Sequence, residues 1–280
     1  MPEIIPQNDE DKEQLTYLRS PPGERGSGAV RYAAAMYFFQ RGMLHARDLE
    51  AYRALSKVDG TADNPAGQAI MQLAMETERY ISGLEFPGKA DVMDGLARWM
   101  RGAPQAVKPG HVPARSHARE ALAAMTDTRL ASALASAVPV LGWSAFTQYP
   151  ADEIGAKFLR NNAFASLVGE GSPYPAEDFD LGFFVVGPHT FYRDHCHAAP
   201  ELYAPLTGPH GWRFKPGDPL QWLDADVPVW NPPNQPHATM TGDVPFLAIY
   251  CWTRDVNEPA RVLFSNDWTA IETQFSASSK

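Results

Sequence analysis

Gly187-Pro188-His189-Thr190-Phe191-Tyr192-Arg193-Asp194-His195-Cys196-His197-Ala198-Ala199-Pro200-Glu201-Leu202-Tyr203 is the stretch on which the reading of this chain turns. In an extended strand, residues two apart project from the same face. His195 and His197 therefore point together, and Cys196 points away. After a bend at Pro200, Glu201 and Tyr203 repeat that relation on a following strand. Two imidazoles and a carboxylate suit one borderline divalent ion, such as Zn, Fe, Mn, Ni or Co. A fourth ligand is expected from a distant strand. His237 is the candidate, at the end of the proline-rich turn Asn231-Pro232-Pro233-Asn234-Gln235-Pro236-His237. Five of the eight histidines fall between His189 and His237. His189 and His210 lie off the spacing and are read as non-ligands.

On either side of this segment the pattern is that of a β protein. After Pro139, short apolar or aromatic runs alternate with turn residues: Val140 to Tyr149, Ala163 to Val168, Leu181 to Gly187, Val227 to Asn231 and Phe246 to Thr253. Such spacing predicts an all-β sandwich or barrel. The first 137 residues read as helices. Asn64-Pro65 is a capping residue followed by proline in the first turn, and Ile70, Leu73, Ala74, Thr77 and Ile81 then fall on one helical face. Gly28 to Arg47, Lys89 to Met100 and Arg115 to Ala137 are also expected to be helical, with Pro104 to Pro113 as a linker. The expected organisation is a helical N-terminal region over 1–137 and a metal-binding barrel over 138–280. The helices would serve as a lid over the barrel or as the surface of a homodimer.

Composition excludes several classes of function. With 44% hydrophobic and 11% aromatic residues among 280, the chain can bury a substantial core. A net charge of -9, without any run of basic residues, argues against nucleic acid as a partner. The two cysteines, Cys196 and Cys251, are too few for a disulfide framework and are expected to be buried thiols. The start of the chain, Met1 to Glu10, lacks the basic and apolar regions of a signal peptide. No stretch approaches the roughly 18 apolar residues that span a bilayer. A cytoplasmic protein acting on a small molecule, with no membrane partner, is expected. The Ser276-to-Lys280 tail is the only biased segment.

The histidine segment resembles the first cupin motif, two histidines and a glutamate followed by glycine, here Gly208. Pro232-x-Asn234-x-x-His237 resembles the second, with Asn in place of Gly and Thr241 where that motif closes on asparagine. The resemblance implies a mainly β fold: a cupin (double-stranded β-helix, or jelly-roll) barrel with an N-terminal α-helical region. Asn is a workable substitute because it also accepts left-handed backbone. The combination Tyr192-x-x-His195-x-His197-x-x-x-Glu201-x-Tyr203, with His237 about forty residues later, is similar to the cupin-type dimethylsulfoniopropionate lyases. Trp252 matches a pocket tryptophan associated with that family.

That resemblance implies a carbon–sulfur lyase that releases dimethyl sulfide and acrylate by β-elimination. His195, His197, Glu201 and His237 would hold the metal. Tyr203, on the strand face of Glu201, is the expected base, because a nearby positive charge favours its phenolate. Tyr192 is the second catalytic candidate and would orient the substrate or hold its sulfonium end. A methylated sulfonium offers no strong hydrogen-bond donor, so an aromatic wall is expected, with Trp252, Trp230, Trp222 and Tyr250 available. Two rival readings keep the same ligands: a cupin Fe(II) dioxygenase, and a metal-containing ligand-binding cupin without turnover. Neither of them needs a phenol beside the metal.

Overall fold

A computed structural model describes residues 4–19, 28–58, 64–147 and 149–277. Met1 to Glu3 and Ser278 to Lys280, read above as part of the N-terminus and the tail, lie outside the described residues. Among the described residues, seven α-helices come first: α1 (Asp9–Arg19), α2 (Gly28–Gln40), α3 (Ala46–Val58), α4 (Pro65–Ser82), α5 (Lys89–Trp99), α6 (Ser116–Leu122) and α7 (Thr128–Ala137). Two short ones, α8 (Ala151–Ile154) and α9 (Ala156–Asn161), lead into the strands. These are β1 (Asn162–Gly169), β2 (Tyr174–Pro175), β3 (Asp180–Val186), β4 (Phe191–Cys196), β5 (Glu201–Pro205) and β6 (His210–Arg213). They continue with β7 (Gln221–Leu223), β8 (Val229–Asn231), β9 (His237–Met240), β10 (Phe246–Trp252) and β11 (Arg261–Val262), before a final helix, α10 (Trp268–Ala277). Among the described residues, no helix is long and apolar enough to cross a membrane.

The strands form two sheets, in the order β2-β1-β3-β10-β5-β8 and β11-β4-β9-β6-β7. Together they make the cupin barrel, with the cavity between them. Alternation along the six-stranded sheet sorts its side chains. Leu181, Phe183, Val185, Leu202, Ala204, Leu247, Ile249 and Cys251 face outward and share one core with α4, α5, α6 and α7. Phe184, Tyr203, Phe246, Ala248 and Tyr250 face inward. The helical region therefore completes the barrel's core instead of standing apart from it. Helices α1–α3 build a separate small core around Ala34, Ala35 and Phe38.

Helix α4 begins as its sequence predicts: the Asn64 side chain accepts a hydrogen bond from Gly67 N at 3.0 Å, and Pro65 opens the first turn. Three expectations give way to tertiary packing. Val140 to Tyr149 is not a strand; Ser144 alone bridges to Phe164, while Trp143 is drawn into the helical core and donates its indole N–H to Val138 O. Arg115 to Ala137 is two helices, because Asp127 caps a new start through Leu130 N. The tail begins within a helix, α10, which a buried ion network fixes: Arg213 pairs with both Asp194 and Asp267, and Trp268 Nε1 donates to Asp194.

Two motif departures have local explanations. Asn234 adopts φ of 59°, the left-handed turn that a glycine would otherwise supply. Thr241 accepts from Thr190 N at 2.7 Å and donates to Gly187 O at 2.8 Å, so a hydroxyl ties the two strand ends together at the motif's last position. Both cysteines are free and buried.

Candidate active site

Strand register assembles the site. His195 on β4 lies directly opposite His237 on β9, and His197 follows at the end of β4. One ring nitrogen from each of the three buried imidazoles lies within 4.8 Å of the others. The Nδ1 atoms are already committed: His195 to Arg193 O at 2.8 Å, His197 to Ala199 O at 2.8 Å and His237 to Gln235 O at 2.9 Å. A carbonyl only accepts, so each Nδ1 carries a proton and each Nε2 is the atom turned toward the centre. Such backbone partners are the usual way to orient metal-ligating histidines.

Glu201 enters from the opposite sheet. Its neighbours across the sheet are Trp252 on β10 and Asn231 on β8. Both donate to it: Trp252 Nε1 to Oε1 at 2.7 Å and Asn231 Nδ2 to Oε2 at 3.1 Å. Oε2 also lies 3.1 Å from His197 Nε2 and 3.3 Å from His237 Nε2. The latter nitrogen is buried and has no hydrogen-bond partner. An orphaned imidazole nitrogen beside a carboxylate, with two more imidazoles converging on the same point, fits a divalent cation. The structure brings His195, His197 and His237 together as one cluster, with Glu201 against two of them.

The charges agree with that fit. Burial opposes ionisation of Glu201, yet the imidazoles of His197 and His237 hold its carboxyl well below the usual range. Burial, followed by the neighbouring His237 and His197, pushes His195 well below its ordinary value and keeps it neutral. His210 lies away from the cluster; Gly242 N donates to its Nδ1 at 3.1 Å, and burial pushes its pKa down to about 4. His189 faces Asp243.

The two tyrosines stand on different sheets. Tyr192 on β4 is stacked between Phe158, at 4.0 Å, and the His195 ring, at 3.9 Å. Its hydroxyl lies 3.2 Å from that of Tyr149, a partner that the sequence did not single out. Tyr203 on β5 packs among Phe184, Trp212 and Phe246, with its ring 6.4 Å from His237. Burial, then the Glu201 charge, holds its phenol well above the ordinary value.

Tyr192, His195, His197, Glu201 and Tyr203 line a cavity of about 250 Å³, together with Phe146, Phe164, Asp180, Phe184, Tyr250 and Trp252. Val256, Asn257, Glu258 and Ala260 edge it, and no Lys or Arg is among its lining residues. The Trp252 ring is 4.6 Å from His197 and is fixed by its bond to Glu201. Trp222 and Trp230 are elsewhere: the first is 44% exposed and packs on Phe275, and the second covers Gly88 and Phe86. Asp180, Phe146 and Phe164 carry no motif signal; strand register brings Asp180 and Phe164 to the site, and the Asn162 side chain holds the Phe146 backbone there.

Fold and site together define a cupin with a three-histidine centre opening on an aromatic cavity. The family model of the dimethylsulfoniopropionate lyases matches residues 92–248, more than half of the chain, and the chain belongs to that family. Dimethylsulfoniopropionate lyase DddQ of Ruegeria pomeroyi is 31% identical over 163 residues, covering 57% of this chain and 79% of the relative. A putative dimethylsulfoniopropionate lyase, DddL of Cereibacter sphaeroides, is 28% identical over 155 residues, covering 51% and 60%. The crystal structure of DddQ from Ruegeria pomeroyi shares the fold, with a TM-score of 0.58 at 24% identity over 71% of this chain and 98% of that one.

Proposed function

We propose that this chain is a carbon–sulfur lyase that cleaves dimethylsulfoniopropionate to dimethyl sulfide and acrylate by β-elimination, with Tyr203 as the base. Family membership supports the substrate and the reaction class. The observation that carries the reading is the make-up of the cavity: convergent imidazole nitrogens, a lining of aromatic rings, and no Lys or Arg among the lining residues. A substrate carboxylate entering here meets no basic side chain, and His195, His197 and His237 with Glu201 would hold the divalent cation that balances its charge. A bound divalent ion supplies Lewis-acid stabilisation of the charge that develops beside that carboxylate.

The protein's own groups do the rest. Tyr203 takes the proton from the carbon next to the carboxylate. The C–H electron pair becomes the double bond of acrylate, and the C–S pair leaves on dimethyl sulfide. The same phenol that burial and Glu201 hold protonated becomes a usable base only where positive charge stands beside it. Tyr192, clamped by two rings and by the Tyr149 hydroxyl, orients the substrate. Phe146, Phe164, Tyr250 and Trp252 surround the sulfonium and exclude water from it. Cation–π attraction adds roughly 0.5–2 kcal/mol per well-placed ring.

The test is headspace detection of dimethyl sulfide from purified, metal-loaded protein and dimethylsulfoniopropionate under anaerobic conditions. Stoichiometric dimethyl sulfide and acrylate are expected, since elimination consumes no oxygen. Absence of both products overturns the reading, and turnover that appears only with oxygen assigns the site to an iron dioxygenase.

A further inference from the structure

Elimination as described leaves Asp180 without a task. This residue opens β3, lines the cavity beside Phe164, Tyr250 and Trp252, and accepts a hydrogen bond from the Tyr250 hydroxyl at 3.2 Å. Ser166 Oγ is 2.9 Å from that hydroxyl. The backbone makes room for the carboxylate: a Cβ at Gly169 would sit 2.8 Å from Asp180 Oδ1. Burial raises its pKa to about 6; the hydroxyls of Ser166 and Tyr250 oppose that, and no cationic side chain does so among the described residues.

Asp180, half-buried at the cavity wall, has only hydroxyl partners, whereas the fully buried carboxylates outside the histidine site, Asp11, Glu76 and Asp194, each face an arginine. An enclosed carboxylate is costly unless it is paired. Here the space beside the carboxylate is the substrate cavity.

Register also fixes its distance from the histidine end. Trp252 pairs with Asp180 on one side and with Glu201 on the other, so the three form one row across β3, β10 and β5. Strands lie about 4.8 Å apart, which separates the two acidic positions by roughly 10 Å of backbone. A short carboxylate bearing a β-onium group spans such a gap with one contact at each end.

We infer that Asp180 is the counter-charge for the cationic end of the substrate, selecting onium-bearing carboxylates over neutral ones of the same shape. The inference rests on the lyase reading for its substrate. It adds a specificity-determining contact at the far end of the cavity from the histidines.

Two inert carboxylates of matched shape isolate the charge: 3-(trimethylammonio)propanoate and 4,4-dimethylpentanoate. In the unaltered, metal-loaded protein the cationic one should inhibit dimethyl sulfide release at a roughly ten-fold or more lower concentration, the scale of one unit or more of pKa shift between close opposite charges. Equal inhibition overturns the inference without any variant. In Asp180→Asn, the KM for dimethylsulfoniopropionate and the inhibition constant of the ammonium compound should rise about ten-fold or more. The neutral compound should bind within about two-fold of before, and kcat should change less than KM. Parallel weakening of both inhibitors would show a structural role, and no change in either would show no role; each result overturns the inference. If the parent releases no dimethyl sulfide, the lyase reading fails. Calorimetric titration of the same two compounds then decides the role of Asp180 by itself.

Discussion

The five-stranded sheet contributes His195 and His237, whereas the six-stranded sheet contributes Glu201, Tyr203, Tyr250, Trp252 and Asp180. The two sets are held differently. Each imidazole is oriented by a carbonyl two residues away in sequence, so its geometry is written locally. The groups on the six-stranded sheet take their partners from neighbouring strands: Glu201 from Trp252 and Asn231, and Asp180 from Tyr250. The five-stranded sheet therefore presents the histidine cluster and Tyr192, and the six-stranded sheet faces them with Glu201, Tyr203, Tyr250, Trp252 and Asp180. Their outer faces differ too, the six-stranded sheet sharing a core with helices and the five-stranded one resting on α10 through Trp268.

The largest effect that follows is on folding. A chain shortened to residues 138–280 would expose Leu181, Phe183, Val185, Leu202, Leu247 and Ile249, which now lie in the shared core. At roughly 1.5–3 kcal/mol for each such side chain, the loss is on the order of 10 kcal/mol. That is comparable to the whole stability of a typical domain. The shortened chain should be insoluble or lack a cooperative melt by circular dichroism. A well-folded, active barrel would show that the six-stranded sheet does not need its helical cover.

Next is the cation site. His237→Ala removes a buried Nε2 that has no hydrogen-bond partner among the described residues, and bound metal should fall well below one ion per chain by elemental analysis. Full metal content in this variant would remove His237 from the cation site. The third effect moves to the other sheet. Tyr203→Phe deletes one hydroxyl from a tightly packed ring, so metal content should stay near normal. General acid–base catalysis is worth about 100- to 10,000-fold, and turnover should fall by at least about 100-fold. The sign of the pH dependence follows from burial and Glu201, which raise this phenol. The deprotonated base is scarce at low pH and grows as pH rises, so the parental rate should climb with pH, and the residual rate of Tyr203→Phe should lose that climb.

The same contrast explains what the sequence disclosed. His195 and His197 were readable because strand alternation relates them, Glu201 because it opens the next strand after the bend at Pro200, and His237 because a proline-rich turn precedes it. Asn64-Pro65 announced α4 for an equally local reason. Nothing in the sequence placed Asp180 in the cavity or Asn231 against Glu201, since register between strands distant in sequence brings them there. Helix α10 was hidden likewise: it depends on Arg213 reaching both Asp194 and Asp267 across the barrel's outer wall. Val140 to Tyr149 looked like a strand because it is apolar, but that apolar character serves the packing of Trp143 against helices.

The smallest expected effect is the one that sets the sheets apart most directly. Tyr192 lines the same cavity as Tyr203, yet it stands on the five-stranded sheet and its ring is already clamped between Phe158 and His195. Tyr192→Phe keeps both stacks and loses only the hydroxyl that lies 3.2 Å from Tyr149. A neutral hydrogen bond of this kind is worth about 0.5–1.5 kcal/mol. If the residue only orients the substrate, turnover should drop by roughly two- to ten-fold. Metal content and the climb of rate with pH should both persist. Tyr149→Phe should reproduce the loss, and the double variant should be little worse than either single one, because all three remove the same contact. A loss in Tyr192→Phe as deep as that in Tyr203→Phe, with the pH dependence gone, would move the base to the five-stranded sheet. Cation binding and proton transfer would then sit on one wall of the barrel.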